Sequence, residues 1–330
     1  MRRSLTIPGS GRDCCTHPVN TDFYPIRLGA HILQPKRRGE GSLFVRHVTP
    51  HQPTSGLVFV HGSMVHSEYY LPWALDLAQQ GVKVFLPDLR GHGRSSGPRG
   101  TVRRFEDHVA DVMRIVLAMR QSHPELPVYL GGESYGALIA FIAAAAPEIA
   151  LHVAGLVLAS PAFGLQAELS PRLRTAIRWG SAWLPFLRPL RPMPFEGVTH
   201  HADATPIVYA DRLVVRRYTI RFLGELLRAQ DIALETAPFV IRPVLAFLAE
   251  EDRIVDNRAA DRVFAKLAPP LTRMVLPGAW HALTVEAPAV LTEHLLSFTA
   301  HTAQDMTAFH IERTSELPSL TTSWIFPRVF

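Results

Sequence analysis

Seven strand-length runs punctuate this 330-residue chain, at 42–48, 57–60, 82–86, 128–130, 153–159, 243–249 and 273–276, and most are apolar without a break. A strand exposed on one face alternates apolar with polar residues. A run with no alternation needs cover on both faces, which is the condition of a strand in a parallel sheet. Helix-length stretches at 68–80, 105–122, 135–146, 257–268 and 288–298 separate the runs. That order predicts an α/β fold with a mostly parallel central sheet and helices on both faces. In such sheets ligands bind beyond the carboxyl ends of the strands, so the loops that follow the runs are where chemistry is sought. Hydrophobic residues make up 47% of the chain, enough for a sizeable core.

The alternation stops once, between about 161 and 237, where Pro, Arg and Trp increase. This predicts a helical cap inserted into a core made of 21–160 and 238–300, with a flexible segment at 1–20 and a poorly ordered tail at 301–330. Ser170 followed by Pro171 reads as an N-cap with proline at the first helical position, and a second cap helix is expected over 212–230. The tail ends on an apolar stretch, Trp324 to Phe330, and the two cysteines, Cys14 and Cys15, are adjacent in the N-terminal segment, where they carry no fold information.

The formal charge of +5 is concentrated: between Arg172 and Arg228 lie ten arginines, no lysine and four acids. Arg172, Arg174, Arg178, Arg188 and Arg191 are interleaved with Leu173, Ile177, Trp179, Trp183, Leu184, Phe186 and Leu187. That mixture suits peripheral contact with an anionic membrane surface, and equally the solvated outer face of a helix. No nucleic-acid motif accompanies the charge, so nucleic acid is not an expected partner. The longest uncharged apolar stretch, 137–146, falls short of the roughly 20 residues that span a bilayer, and residues 4–20 lack the apolar core of a signal peptide. The expectation is a cytoplasmic protein with peripheral membrane contact through the cap.

Chemistry centres on Gly132-Glu133-Ser134-Tyr135-Gly136, directly after the run at 128–130. A strand feeding into Gly-x-Ser-x-Gly forms a nucleophile elbow: the serine turns the corner into a helix in a strained conformation that exposes its hydroxyl, and the glycines leave room for the turn. A serine hydroxyl is a poor nucleophile at neutral pH and needs a histidine base held by an acid, in the chain order Ser, acid, His. The acid is Asp252, after the run at 243–249; Glu251 and Asp256 are the alternatives, each able instead to cap the helix near Asn257. The base is His281, in the loop after the last run. His294 lies mid-helix, and His61, His66 and His92 precede the serine. Two backbone N–H groups must face the developing oxyanion: that of Tyr135, and that of Ser63 in the loop after 57–60. No metal or organic cofactor is implied.

Phe59-Val60-His61-Gly62, Asp88 to Ser95, the elbow, Glu251 to Asp256 and Gly278-Ala279-Trp280-His281 resemble, in order and spacing, the successive blocks of the monoacylglycerol lipase and lysophospholipase group of α/β hydrolases, of the serine aminopeptidase S33 type. Tyr209 to Val214 is similar to that group's cap segment, usually written with proline where Arg212 stands. The likeness spans roughly 40–300. It implies an α/β-hydrolase fold, a triad of Ser134, Asp252 and His281, an oxyanion hole from Ser63 and Tyr135, and a cap over an acyl pocket. The activity implied is cleavage of a lipid or ester small molecule, a monoacylglycerol first, with a lysophospholipid or a simple carboxylic ester as rivals. A non-hydrolytic binding protein on this fold would be expected to lack a triad member. Met64 departs from the usual His-Gly-x-Gly loop, while Tyr135 and Ala137 replace the frequent methionine and glycine. Met64 and Tyr135 are expected to bear on which acyl chain or headgroup fits.

Overall fold

Every expected run is a strand, and one more precedes them. The computed structural model describes residues 26–35, 40–167, 169–188 and 195–312. Cys14, Cys15, Arg191 and the apolar end at 324–330 lie outside the described residues. The strands are β1 (Ile26–Leu33), β2 (Leu43–Pro50), β3 (Ser55–Val60), β4 (Val82–Pro87), β5 (Val128–Glu133), β6 (Gly155–Ala159), β7 (Val244–Ala249) and β8 (Leu271–Leu276). They form one sheet in the order β1-β2-β4-β3-β5-β6-β7-β8. β2 is antiparallel to β1 and to β4, and the remaining pairs are parallel. β3 to β7 are buried along their whole length, in keeping with their mainly apolar sequences, with Ser55, Lys83 and Glu133 the polar residues buried in them. β1 was not expected, because its apolar residues alternate: Ile26, Leu28, Ala30 and Ile32 belong to an edge strand whose Leu28 and Ile32 remain exposed.

The helices are α1 (Leu71–Gln79), α2 (Phe105–Ser122), α3 (Tyr135–Ala144), α4 (Pro147–Ala150), α5 (Pro171–Trp183), α6 (Ala204–Ala210), α7 (Ile220–Thr236), α8 (Asn257–Phe264), α9 (Leu283–Glu286) and α10 (Pro288–Glu312). α1 packs on α10, joined by Trp73 Nε1–H donating to Thr292 Oγ1 at 3.1 Å, and α2 packs on α3. All ten residues of α3 are buried, which is why its sequence is apolar on every side. α10 runs on to Glu312, twelve residues into the segment expected to be tail. No helix among the described residues is long and apolar enough to cross a membrane.

Between β6 and β7 the chain leaves the sheet and forms α5, α6 and α7. Ser170 caps α5 by accepting from Leu173 N–H, with Pro171 at the first position, as its sequence predicts. None of α5 is buried, and Trp179, Trp183, Leu184, Phe186 and Leu187 stand in solvent on and just after it. The expected second helix at 212–230 is displaced to Ile220–Thr236. Thr219 caps it by accepting from Phe222 N–H, and the preceding residues are pulled out of helical geometry by long-range bonds, Val215 N–H to Met64 O at 2.8 Å and Thr219 N–H to Gly100 O at 2.9 Å.

The β5–α3 junction is a tight turn at the carboxyl edge. Ser134 sits at φ +57°, and a Cβ on Gly136 would lie 2.1 Å from Val60 O and 2.6 Å from His61 O. On Gly132 it would lie 2.5 Å from the Gly136 carbonyl carbon. Backbone cannot yield as a side-chain tip can, so Gly136→Ala is expected to destabilise the protein by several kcal/mol, read as a large fall in melting temperature or loss of soluble folded protein.

Candidate active site

Three loops at the carboxyl ends of the strands converge here. β5 delivers Ser134 at the N-terminus of α3. β7 is followed by Asp252, and β8 by the loop carrying His281; all three side chains are buried. Asp252 Oδ1 accepts from the Ile254 and Val255 N–H groups at 2.8 and 2.9 Å, which aims Oδ2 at His281 Nδ1, 2.8 Å away. The imidazole must donate from Nδ1, so Nε2 carries the lone pair. Of the alternative acids, Glu251 is exposed and Asp256 caps α8 by accepting from Arg258 N–H. His294 is half-buried against Phe247.

The loop after β3 lies against the serine: a Cβ on Gly62 would meet Ser134 Cβ at 3.4 Å. Ser63, half-buried, follows it. Tyr135 is the first residue of α3, where an N–H has no acceptor within its own helix. The Tyr135 side chain does not meet the expectation that it helps select the acyl chain. It turns into the core, packs on Phe105 and Phe222, and its hydroxyl donates to His108 Nδ1 at 2.9 Å.

Sequence reasoning passed over the side chain between Gly132 and Ser134. Glu133 is buried and surrounded by donors: Tyr70 Oη–H at 2.9 Å, Thr284 N–H at 3.0 Å and the Thr284 hydroxyl at 3.2 Å. Tyr70 Oη in turn accepts Gly62 N–H at 2.9 Å. One carboxylate therefore ties the elbow to the Ser63 loop through Tyr70 and to the His281 loop through Thr284. Burial raises its pKa, opposed by the Thr284 N–H, His281 and the Tyr70 hydroxyl. A carboxylate in the middle of an otherwise apolar strand end was the available signal.

Met64 stands at φ +71°, in the left-handed region, with Val65 N–H donating to Ser63 O at 2.9 Å across it. A non-glycine residue there stores on the order of 1 kcal/mol, so something must hold it. Both of its backbone groups are gripped by the segment before α7. Tyr218 Oη accepts Met64 N–H at 2.6 Å, and Met64 O accepts Val215 N–H. The Tyr218 hydroxyl donates to His92 Nε2 at 2.9 Å, while His92 Nδ1 donates to Arg90 O. Beneath, His61 Nδ1 donates to Gly62 O and Nε2 accepts Leu89 N–H at 2.9 Å. On the other flank Glu286 accepts from the Thr199 hydroxyl, the His200 N–H and ring, and the Trp280 N–H. Burial would raise its pKa, but those bonds hold it down to about 2. Glu286 thus fastens residues 199–200 over the His281 loop.

The sequence profile of the family described as serine aminopeptidase, S33 matches residues 51–288. The chain is 32% identical to the monoglyceride lipase of Homo sapiens over 253 residues, 75% of this chain and 82% of that protein. It is 28% identical to the phospholipase YtpA of Bacillus subtilis strain 168 over 220 residues, 66% of this chain and 83% of that one. The crystal structure of Paleococcus ferrophilus monoacylglycerol lipase shares the fold with a TM-score of 0.69 at 22% identity, covering 79% of this chain and 99% of that chain.

The buried histidines give the site a distinctive acid response. Burial lowers the pKa of both His61 and His108 to about 4 and that of His92 well below its ordinary value. The folded protein keeps these rings neutral while the unfolded chain takes up protons below about pH 6.5. Stability is therefore complete above about pH 6.5 and is lost as pH falls toward about 4. Denaturant titrations across that window are expected to show a decline on the order of a few kcal/mol, joined toward its acid end by the loss from carboxylates such as Glu286 as pH falls through their unfolded values.

Proposed function

This chain belongs to the serine aminopeptidase S33 family of α/β hydrolases and is a carboxylic ester hydrolase; within that class we propose that it cleaves single-chain lipid esters, a monoacylglycerol first, through Ser134, His281 and Asp252. The observation that carries the reading is the 2.8 Å bond from His281 Nδ1 to a buried Asp252, which leaves Nε2 as base on a loop tied to the elbow through Glu133. His281 Nε2 takes the Ser134 hydroxyl proton as Oγ attacks the ester carbonyl carbon. The N–H groups of Ser63 and Tyr135 stabilise the oxyanion. Collapse breaks the ester C–O bond, His281 gives its proton to the leaving alcohol, and water then releases the fatty acid from Ser134 by the same steps in reverse order.

Residues 21–160 and 238–300 act as the hydrolytic core and 161–237 as a cap over the acyl pocket. The exposed Trp179, Trp183, Phe186 and Leu187, flanked by Arg172, Arg174, Arg178 and Arg188, support peripheral contact of that cap with a membrane surface where such substrates reside. The relatives named for monoglyceride favour glycerol as headgroup, while the Bacillus phospholipase and the arginine excess favour a lysophospholipid as second choice.

Ser134→Ala is expected to abolish labelling by a fluorophosphonate and to cut ester hydrolysis by about 10⁴ or more, and Asp252→Asn to cost about 10⁴, with the fold retained by circular dichroism. A panel of monoacylglycerols, lysophospholipids and short soluble esters at matched chain length ranks the substrates. A preference for the short esters would rule out the lipid assignment. Tyr218→Phe, which frees the Met64 N–H, is expected to lower kcat about tenfold or more with little change in KM, because it acts on the aim of the Ser63 N–H. Adding Met64→Gly removes the strain that Tyr218 restrains, so the double variant is expected to recover part of that loss rather than add to it.

A further inference from the structure

We propose that a cavity on the cap, apart from the ester site, binds a phosphate group. The cavity is about 460 Å³ and is lined by Arg99, Arg188, Arg212, Arg216 and Arg217. Many other arginines are matched with acids, among them Arg46 with Glu68, Arg114 with Asp111 and Glu40, and Arg228 with Glu106 and Glu225. The five in the cavity have no carboxylate partner among the described residues. Arg188 donates to Arg217 O and Arg99 O, both at 2.5 Å; Arg99 donates to Gly93 O and Arg216 to Tyr209 O. Backbone carbonyls therefore position three guanidinium groups without neutralising them. The acid nearest in sequence, Asp211, is committed elsewhere, to His66 Nε2 at 2.8 Å, Tyr69 Oη at 3.2 Å and Leu213 N–H at 2.7 Å.

Guanidinium groups crowded around one concavity repel one another, and a multiply charged anion relieves that repulsion. Their planar forks match tetrahedral phosphate oxygens better than they match a single carboxylate. Two sources of the group fit the position. Arg188 closes the exposed apolar ridge of Leu184, Phe186 and Leu187, so at a bilayer the cavity would face headgroup phosphates; in solution it would take free phosphate. Its wall is the segment whose Val215 and Tyr218 grip Met64, so an occupant would brace the support of the Ser63 loop from outside.

The test uses Arg212→Glu/Arg217→Glu, because neither side chain makes a hydrogen bond in the structure, against Arg172→Glu, a charge reversal on α5 outside the cavity. All are made in full-length Ser134→Ala protein, so that binding is read independently of the proposed hydrolysis. Inorganic phosphate is titrated by calorimetry with acetate as a monoanion control, and phosphatidylcholine vesicles with and without phosphatidic acid are assayed by co-sedimentation. Saturable phosphate binding that exceeds acetate binding and weakens about tenfold or more in the double variant, but not in Arg172→Glu, supports the site. So does the same pattern with phosphatidic acid vesicles alone, which would identify the source as lipid. The proposal is overturned if neither probe binds saturably, if acetate binds as well as phosphate, or if the double variant and Arg172→Glu bind alike.

Discussion

The approach of Gly136 to the carbonyls of Val60 and His61 is the constraint around which the rest of the site is arranged. Contact this close presses the start of α3 onto the end of β3, and so places Ser134 and the Ser63 loop side by side. It also forces Ser134 to positive φ, a conformation that Ser134 O offsets by accepting N–H groups from Leu138 and Ala162, at 3.2 and 3.1 Å. A side chain on either elbow glycine would separate the two loops. The strain is therefore retained because the sheet on one side and a fully buried helix on the other leave it no direction of release.

A second device connects what the elbow leaves apart. Asp252 follows β7, with one strand between it and β5, and His281 follows β8, with two between, so the acid and histidine loops must reach over the sheet edge to meet the serine. Glu133 spans that gap with its hydrogen bonds from Thr284, while its bond from Tyr70 ties it to the Ser63 loop on the other side. Burying a carboxylate without a cation is costly, and three donors aimed at it offset the cost only while all three loops are in place. Partial opening would leave a buried acceptor unsatisfied, so the network favours an all-or-none arrangement of the site.

The segment between β6 and β7 is joined to this machinery, with Met64 as the point of attachment. Its left-handed backbone is held by Tyr218 and Val215, and the Tyr218 hydroxyl donates to His92, a buried neutral ring that lies 5.3 Å from His61 and 6.2 Å from His108. Glu286 makes the corresponding attachment on the histidine side through Thr199 and His200. Residues between β6 and β7 therefore contribute to the shape of the Ser63 and His281 loops as well as to their cover.

Local pattern determined most of the architecture. Apolar runs, most of them unbroken, identified seven strands, because burial on both faces selects for such a composition; the order of Ser134, Asp252 and His281, each after a strand, followed from the same reading. The edge strand β1 escaped because its apolar residues alternate and none of its eight residues is fully buried, so burial imposes no unbroken apolar run on it. Helix α7 was misplaced because the bonds that keep 215–219 out of a helix come from Met64 and Gly100, more than a hundred residues earlier. Only the tertiary structure decided that Glu133 joins three loops, that Tyr135 faces the core, that a methionine is held where glycine is usual, and that five arginines surround one cavity. The physical reason is common to all four: a residue's chemistry is written in the sequence, but its partners are chosen by packing between segments far apart in the chain.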